Sequence, residues 1–432
     1  MSGSKVQRRD FIKYAGLLLG SIPLFGRADF RIGPIFGHKE VGIFQGPTNA
    51  ESTVITVVMH KTARPSFQVG DLKFEYKQVD MNLGDFVVYQ VFVSGLKLNT
   101  VYTLQVNDVV NLIVETREFK ALDLQSTNNK VAVISCSNHR LPESQAVMYS
   151  QLVNTAPDAL FLIGDQVYGN RPQDTMLGQA APPDIAYSLY IKTFLTLDFY
   201  KQKRLIPAFA VWDDHDIGKD GADSTQPYLP IMRDMYRAFF PLNPRMSEVA
   251  LGPGMSFTLN AFGCQNIFLD GRQFGTETIF LGKEQTQWMQ DQYQSSRLPT
   301  VLICGQQFWS YHWRNDSYQR KANSEFSSFL KFLKGSPKPT LFVSGDVHYS
   351  QIQEISEATL GYRTYELSSS AMFSSSAKES RLRSPSEGQL EYYGYPNFLM
   401  LDQLQPSSQS LSLRVTCVSE KSDRQFQRSL VI

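Results

Sequence analysis

Three aspartates surround one histidine in the stretch VWDDHD, where a short apolar run ends at residue 212. Carboxylates this close to one another repel and raise each other's pKa, so the arrangement needs either full solvation or a nearby cation. A surface loop would provide the solvation, and a metal site would provide the cation. The stretch alone fits both interpretations, and other segments of the chain decide between them.

Four more apolar runs end in polar residues of similar chemistry. They are VAVISCSNHR, ALFLIGDQVYGN, VLICGQQFW and TLFVSGDVHYS. Each run is short enough to be a buried strand, and amphipathic stretches such as ESQAVMYSQLVNT and EFSSFLKFLK lie between them. This alternation predicts an α/β sheet, in which ligands gather at the carboxyl ends of the strands. We therefore expect the polar residues to converge, which favours a metal site over a solvated loop.

The polar residues at these ends carry carboxylate, imidazole, phenol and thiol groups. They are Cys136, Asp165, Tyr168, Asp213, Asp214, His215, Asp346 and His348. Hard oxygen ligands favour calcium, magnesium or manganese, whereas the softer thiolate favours iron or zinc. A pair of metal ions can clamp a phosphoryl group and deprotonate a bound water near neutral pH. The residue types therefore fit metal-dependent hydrolysis of phosphoesters.

The motifs SC, GDxxY, WDDH and SGDxH occur in this order, and together they resemble the PhoD-like alkaline phosphatases and phosphodiesterases of the metallophosphatase superfamily. The resemblance covers most of the chain. It implies an α/β fold, a four-layer αββα metallophosphatase sandwich preceded by a small all-β domain of the fibronectin or immunoglobulin type. The expected organisation is a signal segment over residues 1–30, a β-sandwich over 38–120 and a catalytic domain over 128–432.

The resemblance also implies metal ligands and cofactors. Cys136, Asp165 and Tyr168 would help to bind a ferric ion, Fe³⁺, with Tyr168 as phenolate and Asp165 bridging to Ca²⁺. Asp346 and His348 would supply further ligands, with His348 on the iron side. The resemblance thus implies iron and calcium. Other divalent metals would also fit the same ligands.

Within VWDDHD the resemblance implies different roles for neighbouring residues. Asp214 stands where the superfamily has a metal-binding asparagine. His215 matches the histidine that contacts the phosphate and can protonate the leaving oxygen, which makes it the predicted catalytic residue. Asp220 stands where the family often has asparagine, so it is a candidate metal ligand that departs from the family's pattern.

Three residues are predicted to contact the substrate: Asp213, Arg272 and His139. His139 follows the cysteine motif closely, and its alternative is a place on a surface loop. Arg272 lies in FLDGRQFG, which resembles a D-x-R segment of the family, where an arginine either orients the substrate or forms a structural ion pair. The choice between monoesters and diesters lies in loops whose shape the sequence does not specify.

The N-terminal segment QRRDFIKYAGLLLGSIPLFGRA is predicted to direct export. Arg8 and Arg9 precede an apolar stretch too short to span a bilayer, and RRDFIK resembles the twin-arginine motif, with Gln7 where Ser or Thr is more usual. The alternative is an ordinary leader with a chance arginine pair. We therefore expect an exported protein, periplasmic or secreted, with no stable membrane span.

Residues 41 to 119 alternate apolar and polar residues in short runs, a pattern typical of an antiparallel sandwich. Leu96 and Tyr102 in GLKLNTVYTLQV resemble the corner pair of fibronectin-like modules. Nothing in this region has the chemistry of a catalytic site. We interpret it as an accessory domain.

Composition restricts the partners and the class of function. Lys and Arg number 42 against 41 for Asp and Glu, so no basic field indicates a nucleic-acid partner. A serine hydrolase would need a G-x-S-x-G elbow, which the sequence lacks. We expect a monomer that acts on a phosphoester. A non-catalytic binding protein on the same scaffold is the alternative.

Overall fold

The computed structural model describes residues 40–107, 113–171, 173–174, 178–310, 316–374, 387–420 and 426–432. The signal segment predicted over residues 1–30 lies outside this set. Among the residues that are described, no helix is both long and apolar enough to cross a membrane.

The described residues before 121 form two antiparallel sheets. Their strands are β1 (Gly42–Thr48), β2 (Ser52–His60), β3 (Ser66–Gln68), β4 (Lys73–Val79), β5 (Phe86–Ser94), β6 (Val101–Asn107) and β7 (Ile113–Lys120). One sheet has the order β1-β2-β5-β4 and the other the order β3-β6-β7. Val57, Val91 and Leu104 belong to one buried core that both sheets share. The region is therefore the small all-β sandwich that the sequence predicts.

The predicted corner contact is present in this sandwich. The backbone N–H of Lys97 donates a hydrogen bond to Tyr102 Oη over 2.8 Å, and Leu96 is buried beside it. A tyrosine hydroxyl bonded to the backbone a few residues upstream is the signature of the tyrosine corner.

The rest of the described chain contains the strands and helices of the α/β part. The strands are β8 (Val131–Ile134), β9 (Ala159–Ile163), β10 (Ala208–Val211), β11 (Val249–Leu251), β12 (Phe257–Ala261), β13 (Cys264–Leu269), β14 (Thr300–Cys304), β15 (Thr340–Ser344), β16 (Ser350–Ile355), β17 (Thr364–Ser368), β18 (Gln389–Tyr393), β19 (Asn397–Pro406), β20 (Leu411–Ser419) and β21 (Gln427–Val431). The α-helices are α1 (Pro142–Thr155), α2 (Pro183–Thr196), α3 (Asp214–Ile217), α4 (Leu229–Phe239), α5 (Gly282–Ser295), α6 (Tyr318–Lys321), α7 (Asn323–Gly335) and α8 (Glu357–Leu360).

Two mixed sheets pack face to face. One has the order β10-β9-β8-β19-β20-β21, and the other has the order β11-β12-β13-β14-β15-β17-β16-β18. Phe161 of β9 meets Phe268 of β13 with 5.1 Å between the ring centroids, which places the two sheets in contact. Helices α5 and α7 cover the second sheet through Met289 and Phe329, and α1 contacts β20 of the first sheet. This is the αββα order of layers.

The parallel strands bring their carboxyl ends to the same edge. Ile134 of β8 lies next to Leu162 of β9, and Ile163 of β9 lies next to Val211 of β10. All residues of these three strands are buried, as expected for parallel strands that are covered on both faces. The loops that follow β8, β9 and β10 therefore begin side by side.

The all-β sandwich is joined to the α/β part by side-chain contacts with α4. Thr56 of β2 donates a hydrogen bond to the carbonyl of Phe239, and Gln90 of β5 donates to the carbonyls of Arg237 and Ala238. The described residues between 40 and 432 form one compact unit. The domain boundaries at 120 and 128 therefore stay predictions.

Candidate metal centre

Four residues just beyond strand ends have left-handed backbones. Cys136, Asp165, Asp346 and His348 have φ angles of 55°, 57°, 68° and 55°. Residues with a side chain rarely adopt this conformation, which costs on the order of 1 kcal/mol or more and is concentrated at functional sites. All four are predicted metal ligands. The local strain thus coincides with the predicted chemistry.

Among the described residues, three groups of donor atoms lie close enough to hold a metal ion, and in each group the atoms are within 4.8 Å of one another. The first group is Cys136, Asp165 and His348, the second is Asp165, Asp214 and His215, and the third is Asp213, Asp214 and Asp346. Asp165 belongs to the first two groups and Asp214 to the last two. A carboxylate shared in this way is the ligand type that bridges adjacent cations.

The first group also includes a phenol. Tyr168 Oη lies 3.4 Å from His348 Nε2 and 3.0 Å from Ser374 Oγ. The Sγ atom of Cys136 lies 3.5 Å from Asp165 Oδ2. Thiol, phenol, carboxylate and imidazole thus meet at one place, and this mixture of hard and soft donors suits iron.

Burial opposes ionisation of the thiol and the phenol in the first group. It raises the pKa of Cys136 well above its ordinary value, and the nearby Asp165 carboxylate raises it further. Burial also raises the pKa of Tyr168, and Cys136 and Asp165 add to that effect. A cation bound here would reverse this balance, because metal coordination favours the deprotonated ligand.

His215, in the second group, is held by an amide. Its Nδ1 atom lies 3.0 Å from Asn170 Oδ1, and Asn170 is buried. An amide oxygen accepts a hydrogen bond, so this contact places a proton on Nδ1 and leaves Nε2 free to bind a cation or to take up a proton. The Nε2 atom lies 3.9 Å from Asp220 Oδ1.

Burial and the neighbouring Arg272 act in opposite directions on the carboxylates of the third group. Burial raises the pKa of Asp213 to about 7, although Arg272 opposes the shift. Burial acts the same way on Asp214, but Arg272 and His215 outweigh it and lower that pKa to about 2. The Oδ2 atom of Asp213 has no hydrogen-bond partner among the described residues. A buried, unpartnered carboxylate oxygen is the kind of atom that a hard cation satisfies, so the donor set fits metal ions.

Arg272 lies inside this carboxylate cluster. Its side chain is fully buried; Nε donates to Asp213, and Nη1 donates to Asp316 Oδ2 over 2.8 Å. The Nη2 atom lies 3.9 Å from Asp214 Oδ2. In this position the guanidinium is an internal counter-ion, and its contact with substrate stays a prediction.

His139 and Asp220 lie outside the three donor groups. His139 is buried, with Nδ1 3.2 Å from Thr193 Oγ1 of α2, and burial lowers its pKa to about 3. Its predicted contact with substrate, like that of Asp213, stays a prediction. The Asp220 side chain is 75% exposed and has an oxygen 3.9 Å from His215 Nε2, and its role as a ligand also stays a prediction.

Sequence reasoning did not assign a role to four residues that contact the site. They are Asn170, Asp216, Asp316 and Ser374. One of them, Asp216, has a signal in the sequence, because Asp213 and Asp216 are three residues apart and form a capping box at the start of α3. The other three residues reach the site through contacts between segments that are far apart in the chain. Residue type alone does not reveal such contacts.

The fold and the site together define an α/β protein whose strand ends carry donor groups for more than one cation. No family model matches the chain, and no curated protein matches it. A solved structure described as "Structure of PhoD" matches with a TM-score of 0.65 and 16% identity, covering 90% of this chain and 89% of that chain. This chain therefore has the fold of PhoD, which confirms the predicted resemblance at the level of the fold.

Proposed function

We propose that the protein is a metal-dependent phosphoesterase of the PhoD-like kind. The observation that carries the proposal is the chain of three donor groups linked by Asp165 and Asp214 at the strand ends. Metal ions held there would supply positive charge to the phosphoryl oxygens and lower the pKa of a bound water. The fold it shares with PhoD agrees with this function.

The donor types support an assignment of the ions. Cys136, Tyr168 and His348 would provide the softer and phenolic donors for ferric iron, and Asp165 would contribute a carboxylate to the same ion. The carboxylates Asp213, Asp214 and Asp346 provide hard oxygens for calcium. These assignments rest on ligand chemistry, and metal analysis of the purified protein tests them.

His215 is the proposed proton donor. Its Nδ1 contact with Asn170 orients the ring, and its side chain is 14% exposed, so Nε2 can face a substrate at the mouth of the site. In its protonated form His215 transfers the Nε2 proton to the leaving oxygen as the ester bond breaks. The Asn170 contact keeps the ring in place during the transfer.

Turnover and metal content measured on one sample test the function. We expect iron and calcium in the purified protein, hydrolysis of nitrophenyl phosphate or bis-nitrophenyl phosphate, and loss of hydrolysis after treatment with a chelator. Running the monoester and the diester side by side defines the substrate class. A metal-loaded protein that hydrolyses neither ester would instead be the binding protein that is the alternative on this scaffold.

Export by the twin-arginine route is proposed on two grounds. One is the RRDFIK segment, and the other is that the donor groups come from strand ends between residues 134 and 344, so the site assembles only in the folded chain. Replacement of Arg8 and Arg9 by Lys should keep the protein in the cytoplasm, as cell fractionation would reveal. Unchanged export would mean that another route is used.

A further inference from the structure

One buried carboxylate binds the backbone of both loops that carry the central ligands. Asp216 is fully buried, and its Oδ2 accepts hydrogen bonds from the N–H groups of Asp165, over 2.7 Å, and Asp213, over 2.8 Å. Its Oδ1 accepts from the N–H of Val167 over 2.9 Å. Asp165 and Val167 follow β9, whereas Asp213 follows β10.

The N–H groups that donate hydrogen bonds to Asp216 belong to residues of the metal-donor groups or to a direct neighbour of a predicted ligand. Asp165 belongs to two of the donor groups, and Val167 precedes Tyr168. Asp213 belongs to the third group and is followed by Asp214 and His215. A shift of the Asp216 carboxylate would therefore move ligands in all three groups.

The two loops are also in direct contact, so their spacing has little freedom. Gly164 has a φ of 91°, and a Cβ atom placed there would lie 2.4 Å from Asp213 Cβ. The N–H of Gly169 donates to the carbonyl of His215 over 3.0 Å. Within this close packing, Asp216 joins the two loops through three hydrogen bonds that it accepts from backbone N–H groups.

Asp216 belongs to none of the three donor groups found among the described residues, and both of its carboxylate oxygens accept backbone N–H groups. Replacing a residue that holds metal ligands in place typically lowers the metal affinity about 10- to 100-fold.

We propose that Asp216 is a positioning residue that fixes the distance between the ligand loops before any cation binds, and thereby sets the affinity of the site for metal. The inference rests on the proposed metal centre, but it does not depend on which reaction that centre performs.

The test uses Co²⁺ as the probe, because a thiolate ligand to cobalt gives absorption bands that report on coordination. Protein stripped of metal is titrated with Co²⁺, and wild type is compared with Asp216→Asn. The asparagine keeps the shape of the side chain but turns one acceptor oxygen into an NH₂ group that faces a backbone donor. We expect the variant to bind Co²⁺ about 10- to 100-fold more weakly and with shifted bands.

Glu325→Gln is the matched control. The Glu325 carboxylate also accepts three backbone N–H groups, from Phe280, Leu281 and Gly282 over 2.8 to 3.1 Å, but it fixes the start of α5 and belongs to no donor group. The same chemical change there should lower the unfolding free energy and leave Co²⁺ binding unchanged. Equal weakening of Co²⁺ binding in both variants, or wild-type binding in Asp216→Asn, would overturn the proposal.

A measurement on the wild-type protein covers the case in which Asp216→Asn does not fold. In metal-free wild type, hydrogen exchange of peptides spanning residues 163–168 and 211–216 should already be slow, since Asp216 holds those amides without metal. Fast exchange that slows only after Co²⁺ is added would overturn the proposal. Absent turnover with normal Co²⁺ behaviour would instead reject the phosphoesterase function and leave the role of Asp216 intact.

Discussion

The ring of Tyr168 stacks on the ring of His215, with 4.3 Å between the centroids and 26° between the ring planes. Tyr168 follows β9 and His215 follows β10, so the stack joins the phenol of the proposed iron site to the imidazole of the next donor group. A substitution that removes the Tyr168 ring would disturb both sites at once. A test of the Tyr168 hydroxyl therefore needs a change that keeps the ring.

Tyr168→Phe meets this condition, because it keeps the ring and removes only the hydroxyl. We expect wild-type protein as purified to show a visible absorption band from phenolate to ferric iron. The variant should lose that band and keep its calcium, since the hard-oxygen ligands are untouched. Absorption spectra with metal analysis check this. A colourless, fully active wild-type preparation containing only zinc would contradict the iron assignment.

His139→Gln tests whether His139 is a buried neutral group. Burial lowers its pKa from 6.5 to about 3, so below pH 6.5 the unfolded chain binds a proton that the folded protein rejects. Folding stability contributed by this group is thus present above pH 6.5 and is lost as the pH falls, by about 2 kcal/mol between pH 6.5 and 5. Urea unfolding at a series of pH values should show wild type losing this much relative to the variant.

The same variant separates the two interpretations of His139. If the residue contacts substrate, KM should rise in His139→Gln at neutral pH. A stability difference between wild type and variant that does not change with pH, together with a raised KM, would contradict the buried neutral state and support the predicted contact.

The strand ends were predictable because their signals are local. VAVI, ALFLI and AFAV are uninterrupted apolar runs, and each is a fully buried parallel strand. Neighbouring parallel strands place the loops that follow them at one edge of the sheet. The sequence therefore predicts that Cys136, Asp165 and Asp214 lie near one another, and the donor groups contain them.

The partners of these residues were not predictable from residue type. Asp216 also binds the backbone N–H groups of Asp165 and Val167, and since every residue except proline has such a group, no sequence pattern marks these two partners. The sequence does not decide whether Arg272 contacts substrate or forms an ion pair, because its partner Asp316 lies 44 residues further along the chain. Contacts of this kind depend on how distant loops pack.

Arg272→Met tests the counter-ion role. Removal of the guanidinium leaves Asp213 and Asp214 without their buried arginine, whereas Asp316 keeps Lys321 at 3.5 Å, and the change should lower the stability of the metal-free protein by about 3–5 kcal/mol. Calcium should restore more stability to the variant than to wild type, because the cation would take over the balancing charge. Thermal unfolding with and without calcium measures both. An equal loss in the two conditions would mean that arginine and metal act independently.

His215→Ala tests the proton donor. Its neighbours Asp165 and Asp214 remain to hold metal, so the variant should keep most of its metal and lose about 10²- to 10⁴-fold in rate, the usual value of general acid catalysis. The loss should shrink for esters of nitrophenol, whose anion leaves without a proton, and grow for alkyl esters. Asp165→Ala is the control, because loss of a ligand shared by two donor groups should empty the site and abolish turnover of all esters alike. Equal rate losses for good and poor leaving groups in His215→Ala, with metal retained, would leave His215 as a residue that binds metal or phosphate without donating a proton.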